Sequence, residues 1–465
     1  MHIELDRTQK ASLTRQVYEA LKEKILSGEL AAGQQLPPTR SLAVELSVSR
    51  NVVLYAYDQL TAEGYIESVS GSGTFVKPNL YLPSPAKGAV FAERELIGLR
   101  HEPQAGLIDF RTGVPDLSFF PIRKWGRLYQ SICDSLNPET LDYYEPQGSY
   151  RLRKHLAAYL QRSRGVICRP EQMIITTGAA QAFTLTARML LRASSTVVVE
   201  DPINCDILKI IQATGAHVIP VPVDQSGMQT DLLPDGAHPT LIFTTPSHQF
   251  PIGSILSAER RIALIRYAEK NGSYILEDDY DSDFRFVGLP IAAMQSLCPE
   301  RVIYTGSFSK KLFPALRLGF IVLPESLTRR FAEIKHLEDL HSPVLEQLTL
   351  AAFIEQGLLE KYIHASKRLY QHRRKVMESA LKNAFGDSVV ILGNDTGIHL
   401  VAQFPGRVFS PDVYPRLAQN GVRVYPIDIH TIEPGLYRDM LMLGYGNLSD
   451  DMILEGVRRM RQVII

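Results

Sequence analysis

Apolar positions in the first 77 residues recur at helical spacing. Leu13, Val17, Leu21 and Ile25 come every four residues and predict an amphipathic helix over 14–27, closed by Ser27-Gly28. Gly33 and Pro37-Pro38 mark a loop, after which Thr39 or Ser41 is expected to cap a short helix holding Leu42, Ala43 and Leu46. Val48-Ser49 reads as a tight turn, with Ser49 as N-cap of a third helix. On that helix Val53, Ala56, Tyr57 and Leu60 follow the i, i+3, i+4, i+7 spacing of a buried face, and Gly64 stops it. Two β-type runs, 65–69 and 74–76, flank the turn Ser70-Gly71-Ser72-Gly73. Three helices and a hairpin predict a winged helix-turn-helix over 1–77.

The pattern then changes twice. Residues 78–104 carry Pro78, Pro83, Pro85 and Pro103 without a core stripe, and 89–100 offers at most a helical turn or two. This segment reads as a linker, semi-extended where proline dominates. From 105 to 465, helical stretches alternate with short β-branched runs at 196–200, 217–221, 240–244, 274–277, 301–304 and 318–323. Near-continuous apolar strands between helices predict an α/β fold, a mostly parallel sheet covered on both faces, with a smaller C-terminal α+β part. Ligands in such sheets sit beyond the carboxyl ends of the strands, so the polar residues that follow these runs are the place to look for chemistry.

Composition narrows the class without naming it. Fifty Lys+Arg balance 50 Asp+Glu, and 45% of the 465 residues are hydrophobic, which excludes an extended disordered chain. No apolar run approaches the roughly 20 residues a bilayer span needs, and the first residues lack the features of a signal peptide. Cys133, Cys168, Cys205 and Cys298 form no CxxC pair, which argues against a disulfide framework or a zinc site and suits a cytoplasmic protein. No metal site is expected.

The winged-helix module holds eight basic residues against nine acidic, so only placement supports nucleic acid. Arg40 falls at the start of the second helix and Ser49-Arg50-Asn51 at the start of the third, where recognition-helix side chains reach base edges. Arg suits guanine, Asn suits adenine, and Ser suits phosphate. Ser72 and Gly73 at the wing tip permit close approach to the duplex. The alternative is a protein-interaction domain with a few solvated charges. Leu36-Pro37-Pro38-Thr39-Arg40-Ser41-Leu42-Ala43, Val48-Ser49-Arg50-Asn51-Val52-Val53 and the closing Gly71-Ser72-Gly73-Thr74-Phe75-Val76 resemble the GntR-type winged helix, which implies binding to an operator in double-stranded DNA.

Three elements in the second part carry chemistry. Ser307-Phe308-Ser309-Lys310, followed by Pro314 and Arg317, comes after the run at 301–304. A lysine there can form a Schiff base with an aldehyde cofactor, while two serines and an arginine suit a phosphate. Glu277-Asp278-Asp279-Tyr280-Asp281 puts carboxylates at another strand end, where one can keep a pyridine nitrogen protonated. Thr176-Thr177-Gly178-Ala179-Ala180-Gln181 opens a helix whose free N–H groups favour a phosphate dianion.

Together these elements resemble fold-type I aminotransferases that use pyridoxal phosphate. The resemblance implies that Lys310 holds the cofactor, with Lys311 as the alternative. It implies that Arg317, Ser307, Ser309, Gly178, Ala179 and Ala180 hold the phosphate. Asp278 is implied as the pyridinium partner, with Asp279 as the alternative if the register slips by one, and Tyr280 as the phenol near the 3-hydroxyl. Tyr143 matches a tyrosine that crosses a dimer interface to the neighbour's phosphate, and Arg438 an arginine that holds a substrate carboxylate. Thr245-Pro246-Ser247-His248-Gln249-Phe250-Pro251-Ile252-Gly253 is similar to the loop beside the ring.

A winged helix, a linker and this domain make the layout of the MocR/GabR branch of GntR regulators. One departure is Glu200-Asp201-Pro202-Ile203-Asn204-Cys205, where that branch usually has an aromatic stacked on the cofactor. Asn204 leaves three readings open: an altered ring environment with an unusual effector, weaker cofactor retention, or a hydrogen bond to the ring hydroxyl. The resemblance implies a homodimeric bacterial regulator that senses an amine, an amino acid or the cofactor itself. A working aminotransferase with an autoregulatory DNA-binding domain stays open beside it.

Overall fold

A computed structural model describes residues 3–9, 11–80 and 106–465. The chain divides into two compact units, Met1–Glu102 and Pro103–Ile465. Most of the expected linker at 78–104, and the helical turn considered over 89–100, lie outside the described residues.

The first unit has helices Leu13–Leu26, Thr39–Glu45 and Arg50–Ala62 and strands Gln35–Leu36, Ile66–Val69 and Gly73–Val76. Val17, Leu21, Leu42, Val53, Ala56, Leu60 and Ile66 are fully buried in one core, which is the apolar stripe of each helix turned inward. Leu80 packs against the same core, so the module reaches slightly past residue 77. Gly73–Val76 is the central strand, between Ile66–Val69 and Gln35–Leu36. The strand at Gln35–Leu36 replaces part of the expected loop, and two residues are too few to show a periodicity. Capping also departs from expectation. Pro38, not Thr39 or Ser41, occupies the N-cap of the second helix. Ser49 sits at the N-cap of the third, but its side chain makes no capping hydrogen bond, which leaves the hydroxyl exposed.

The second unit is α/β. Its main sheet has eight strands in the order Met173–Thr176, Gly319–Val322, Val302–Ser307, Tyr274–Asp279, Leu241–Thr244, Thr196–Asp201, His217–Asp224, Gly227–Met228. Five neighbouring strands, Val302–Ser307 to His217–Asp224, run parallel; Gly319–Val322 is antiparallel to both its neighbours. Successive strand residues feed opposite layers, as a two-residue period requires: Ile303 and Ile321 pack in one apolar cluster, Tyr304 and Phe320 in another. A smaller sheet of Val390–Leu392, His399–Gln403, Met440–Gly444 and Tyr425–Pro426 follows, with the long helix Leu358–Phe385 and the final helix Asp450–Ile464. Among the described residues no helix is long and apolar enough to cross a membrane.

Candidate cofactor site and nucleic-acid interface

Alternation along Tyr274–Asp279 separates the acidic cluster into two jobs. Glu277 and Asp279 face one side and serve the fold. Arg164 Nε lies 2.8 Å from Asp279 Oδ2, and the Tyr304 hydroxyl donates to the same oxygen. Burial alone would raise the Asp279 carboxyl, but Arg164 and then Lys311 hold it below the usual carboxylate range. Glu277 accepts the backbone N–H groups of Met294 and Gln295 at 3.0 and 2.9 Å. Removing one member of such a buried pair typically costs about 3–5 kcal/mol, because the other charge is left without a partner.

Asp278 points the other way. Its carboxyl is buried, with only Thr305 Oγ1 at 3.4 Å, and burial pushes it up to about 7 against the opposing pull of Lys310. Lys310 follows the strand Val302–Ser307, one strand over. Its Nζ lies 3.7 Å from the centre of the Tyr280 ring and 5.6 Å from that of Phe250. Burial pushes the ammonium down, opposed by Asp281 and Asp278. The next residue is unlike it: Lys311 is buried in an ion pair with Asp283 at 2.6 Å. Gly113 gives Lys310 room, since a Cβ there would lie 2.9 Å from Lys310 Cε.

An anion cup lies at the far edge of these strands. Helix Ala179–Leu190 begins after Gly178, whose φ of 117° is open to glycine and strained for other residues. The N–H groups of its first turn have no partner within the helix and point outward. Arg317 lies beside this turn, its Nη2 donating to Thr177 O at 2.7 Å and standing 3.0 Å from where a Gly178 Cβ would be. Arg317 is exposed and itself has φ 50°, an unusual backbone for a side-chain-bearing residue. Ser307 is the last residue of its strand, and its Oγ accepts the Ser309 N–H at 3.1 Å. Lys310, Asp278, Tyr280, Ser307, Ser309, Arg317 and Gly178–Ala180 thus stand on the ends of four adjoining strands.

A histidine that sequence reasoning did not single out joins them. His248 Nδ1 is 2.9 Å from both Asp281 carboxylate oxygens and 3.1 Å from the Tyr280 hydroxyl. His399 stacks near it at 5.0 Å between ring centres, and burial pushes its imidazole well below the ordinary range. Phe250 packs edge-on against Tyr280, His399 and His430. His248 was visible only as one residue of a loop motif; its partners come from distant segments.

Among the described residues, three expected side chains make no hydrogen bond to the groups around Lys310. Tyr143 is 80% exposed, with His341 as its ring neighbour at 6.4 Å. Asn204 caps the helix Cys205–Gln212, its Oδ1 accepting the Asp206 N–H at 2.9 Å, so that oxygen is already engaged. Arg438 is exposed beside Gly435, and among the described residues it makes no hydrogen bond or ion pair with the groups around Lys310. A roomy cavity of about 740 Å³ lies elsewhere, lined by Gln147, Arg169, Thr328, Ala332 and Leu337 among others, and holds none of those groups.

On the first unit Arg40, Ser49, Arg50, Asn51, Ser72 and Gly73 are all exposed. Arg50 Nε lies 3.4 Å from Thr39 Oγ1, which joins the starts of the second and third helices. Leu54 and Tyr55 are exposed on the same helix; only the complement of its buried stripe could have indicated them.

Residues 13–76 match the family described as bacterial regulatory proteins, gntR family, and residues 107–457 match aminotransferase class I and II. The chain is 36% identical to the probable rhizopine catabolism regulatory protein MocR of Rhizobium meliloti, over 99% of this chain and 95% of that protein. It is 34% identical to the pyridoxine biosynthesis transcriptional regulator PdxR of Corynebacterium glutamicum, covering 82% of this chain and 81% of that one. Among solved structures, Pyrococcus horikoshii kynurenine aminotransferase in complex with PMP superposes with a TM-score of 0.73 at 26% identity, over 78% of this chain and 91% of that one.

Proposed function

Since the chain belongs to the MocR/GabR type of GntR-family transcription regulators, a DNA-binding winged helix fused to an aminotransferase-like domain, we propose that this domain holds pyridoxal 5′-phosphate at Lys310 and uses it to sense an amine or amino acid. The observation that carries the reading is Lys310 itself, its ammonium destabilised by burial at a strand end and facing Asp278, Asp281 and the Tyr280 ring. The donor set fits the cofactor. The helix start at Gly178, Arg317 and Ser307 suit a phosphate dianion, and Gly178 leaves the space a Cβ would fill. Asp278, buried beside a cation and lacking a strong donor, suits a protonated ring nitrogen that would draw it fully into the ionised form. Asp279 has both oxygens committed to Ser282 N–H, Arg164 and Tyr304, which favours Asp278 for that role.

When bound, the cofactor supplies an aldehyde that primary amines attack and a ring that takes up electron density. The protein's own residues do the rest. Burial favours release of the proton from Lys310 Nζ, and Asp281 and Asp278 oppose it. Arg317 and the helix start would hold the phosphate, and Lys310 would hold the aldehyde carbon until an amine took its place. Once freed, Lys310 would change its contacts with Tyr280 and Phe250, and only a difference in contact energy between the two states can move the DNA-binding equilibrium.

Exposed Tyr143 supports a homodimer in which it reaches a neighbouring site. Two DNA heads would then read paired half-sites in the cytoplasm. Arg438, exposed in one chain, would receive a ligand carboxylate; its neighbours Tyr437 and Met440 pack against the apolar cluster of Phe250 and Tyr280.

The test is operator affinity, measured with pyridoxal phosphate alone and then with a panel of amines, for wild type and Lys310→Ala. The reading expects one addition to change wild-type affinity and to leave Lys310→Ala unmoved. An equal response in both proteins would refute a role for Lys310. Sustained turnover with a keto-acid acceptor would instead make the protein an enzyme.

A further inference from the structure

We propose that Asp281 sets the tautomer of His248 and, through it, the direction in which Tyr280 offers its hydroxyl hydrogen to the Lys310 pocket. Proton count decides the tautomer. Asp281 is fully buried and stands 2.9 Å from His248 Nδ1 through both oxygens, and a carboxylate can only accept. Nδ1 therefore carries the proton. An Nδ1 that is already donating has no lone pair for Tyr280, whose hydroxyl oxygen lies 3.1 Å from it. The phenol hydrogen is left to turn away from His248, and Lys310 Nζ lies over the face of the same ring. His248 Nε2 is buried with no hydrogen-bond partner among the described residues, so nothing on that side competes for the tautomer.

The surroundings hold this arrangement. A side chain at Gly397 would collide with both Asp281 and His248, and a Cβ at Gly253 would come within 3.0 Å of Nε2. Both glycines have a left-handed backbone, at φ 84°. The charged and titratable groups facing His248 are Asp281, Tyr280 and Asp278 from the strand end, Lys310 from its neighbour, and His399 from the small sheet; Glu200 acts on Tyr280 from beyond. His399 Nε2 already bonds Pro251 O at 3.2 Å. His248, Asp281 and His399 also lie close enough to share a metal ion, an alternative that metal content of the isolated protein decides.

Two measurements test the proposal. Histidine ¹⁵N spectra of the apoprotein, with the His248 resonances identified by their loss in His248→Gln, should show a proton on Nδ1. Any form without that proton overturns the proposal, as does a stoichiometric metal ion in the isolated protein that His248→Gln loses. This arm needs no cofactor.

The second arm rests on the cofactor reading. Tyr280→Phe should raise the pH midpoint of the bound cofactor's absorption by about one unit, the scale of one hydrogen bond to a charged oxygen. Asp281→Asn frees Nδ1 to accept from Tyr280, so it should raise the midpoint as well. In a Tyr280→Phe background only the lost negative charge remains, and Asp281→Asn should lower it. If Asp281 acts by its field alone, Asp281→Asn lowers the midpoint in both backgrounds, and the proposal fails; an unmoved midpoint also overturns it. If wild type shows no cofactor band, or Asp281→Asn does not fold, the ¹⁵N result decides alone.

Discussion

Replacing Asp278 with asparagine should make the cofactor-free protein more stable while weakening its hold on pyridoxal phosphate. The carboxyl sits at about 7 against an ordinary 3.8, chiefly because burial disfavours the anion. An unfolded chain releases that proton near 3.8, whereas the folded chain keeps it until about 7. Between these values the fold binds more protons than the unfolded chain, so stability falls as pH rises, and it levels off above about 7. At about 1.4 kcal/mol per pH unit, keeping this carboxyl buried costs the fold about 4–5 kcal/mol at pH 8 and about 1–2 kcal/mol at pH 5. Asparagine keeps the shape and the Thr305 contact without the charge. Urea unfolding of the full chain, free of cofactor, should therefore show Asp278→Asn ahead of wild type, with a gap about 3 kcal/mol wider at pH 8 than at pH 5. A gap that does not change with pH, or a variant less stable than wild type at pH 8, would refute the reasoning. Spectral titration should show the same variant binding pyridoxal phosphate more weakly, since the charge that disfavours the empty fold is what a cationic ring needs.

Other outcomes follow from the same geometry. Lys311→Ala leaves Asp283 buried without its ion-pair partner and should cost about 3–5 kcal/mol in urea unfolding; loss of borohydride labelling at Lys310 in a folded Lys311→Ala protein would contradict the separate roles. Gly178→Ala forces a side chain into a φ of 117° beside Arg317 and should weaken cofactor binding about tenfold or more, the equivalent of about 1–3 kcal/mol of strain, with operator affinity of the cofactor-free protein unchanged. Arg50→Ala should weaken operator binding by about tenfold or more and leave the cofactor spectrum intact; unaltered DNA affinity would count against the assignment of the third helix.

Much of this was legible along the chain. The every-fourth-residue stripes of the first unit became its buried helix faces, because a short amphipathic helix has only one way to hide its apolar side. Five of the six β-branched runs became the parallel core of the sheet for a similar reason: strands covered on both faces must be apolar throughout. The sixth, 318–323, became the antiparallel Gly319–Val322. What the sequence could not show was which side chains meet. Asp278 and Asp279 are adjacent and chemically alike, and only Arg164, arriving from the helix Tyr150–Arg164, tells them apart. An acidic cluster usually reads as solvated charge, yet Glu277, Asp278, Asp279 and Asp281 are all buried, because Arg164, Lys311 and His248 come to them from segments far along the chain. Lys310 and Lys311 differ in the same manner. His248 was part of a recognisable loop, but its partner Asp281 is 33 residues away. The cap at Pro38 and the two-residue strand Gln35–Leu36 escaped because local propensity is weak where a fold closes on itself.

The central claim is that Lys310 carries the cofactor of a DNA-binding regulator. Its most direct test is the near-visible absorption spectrum of the purified protein with pyridoxal phosphate, followed by borohydride reduction and peptide mapping. The account predicts a band that reduction removes, with the added mass on Lys310 and none on Lys311. No band, or label on Lys311 or elsewhere, would contradict it.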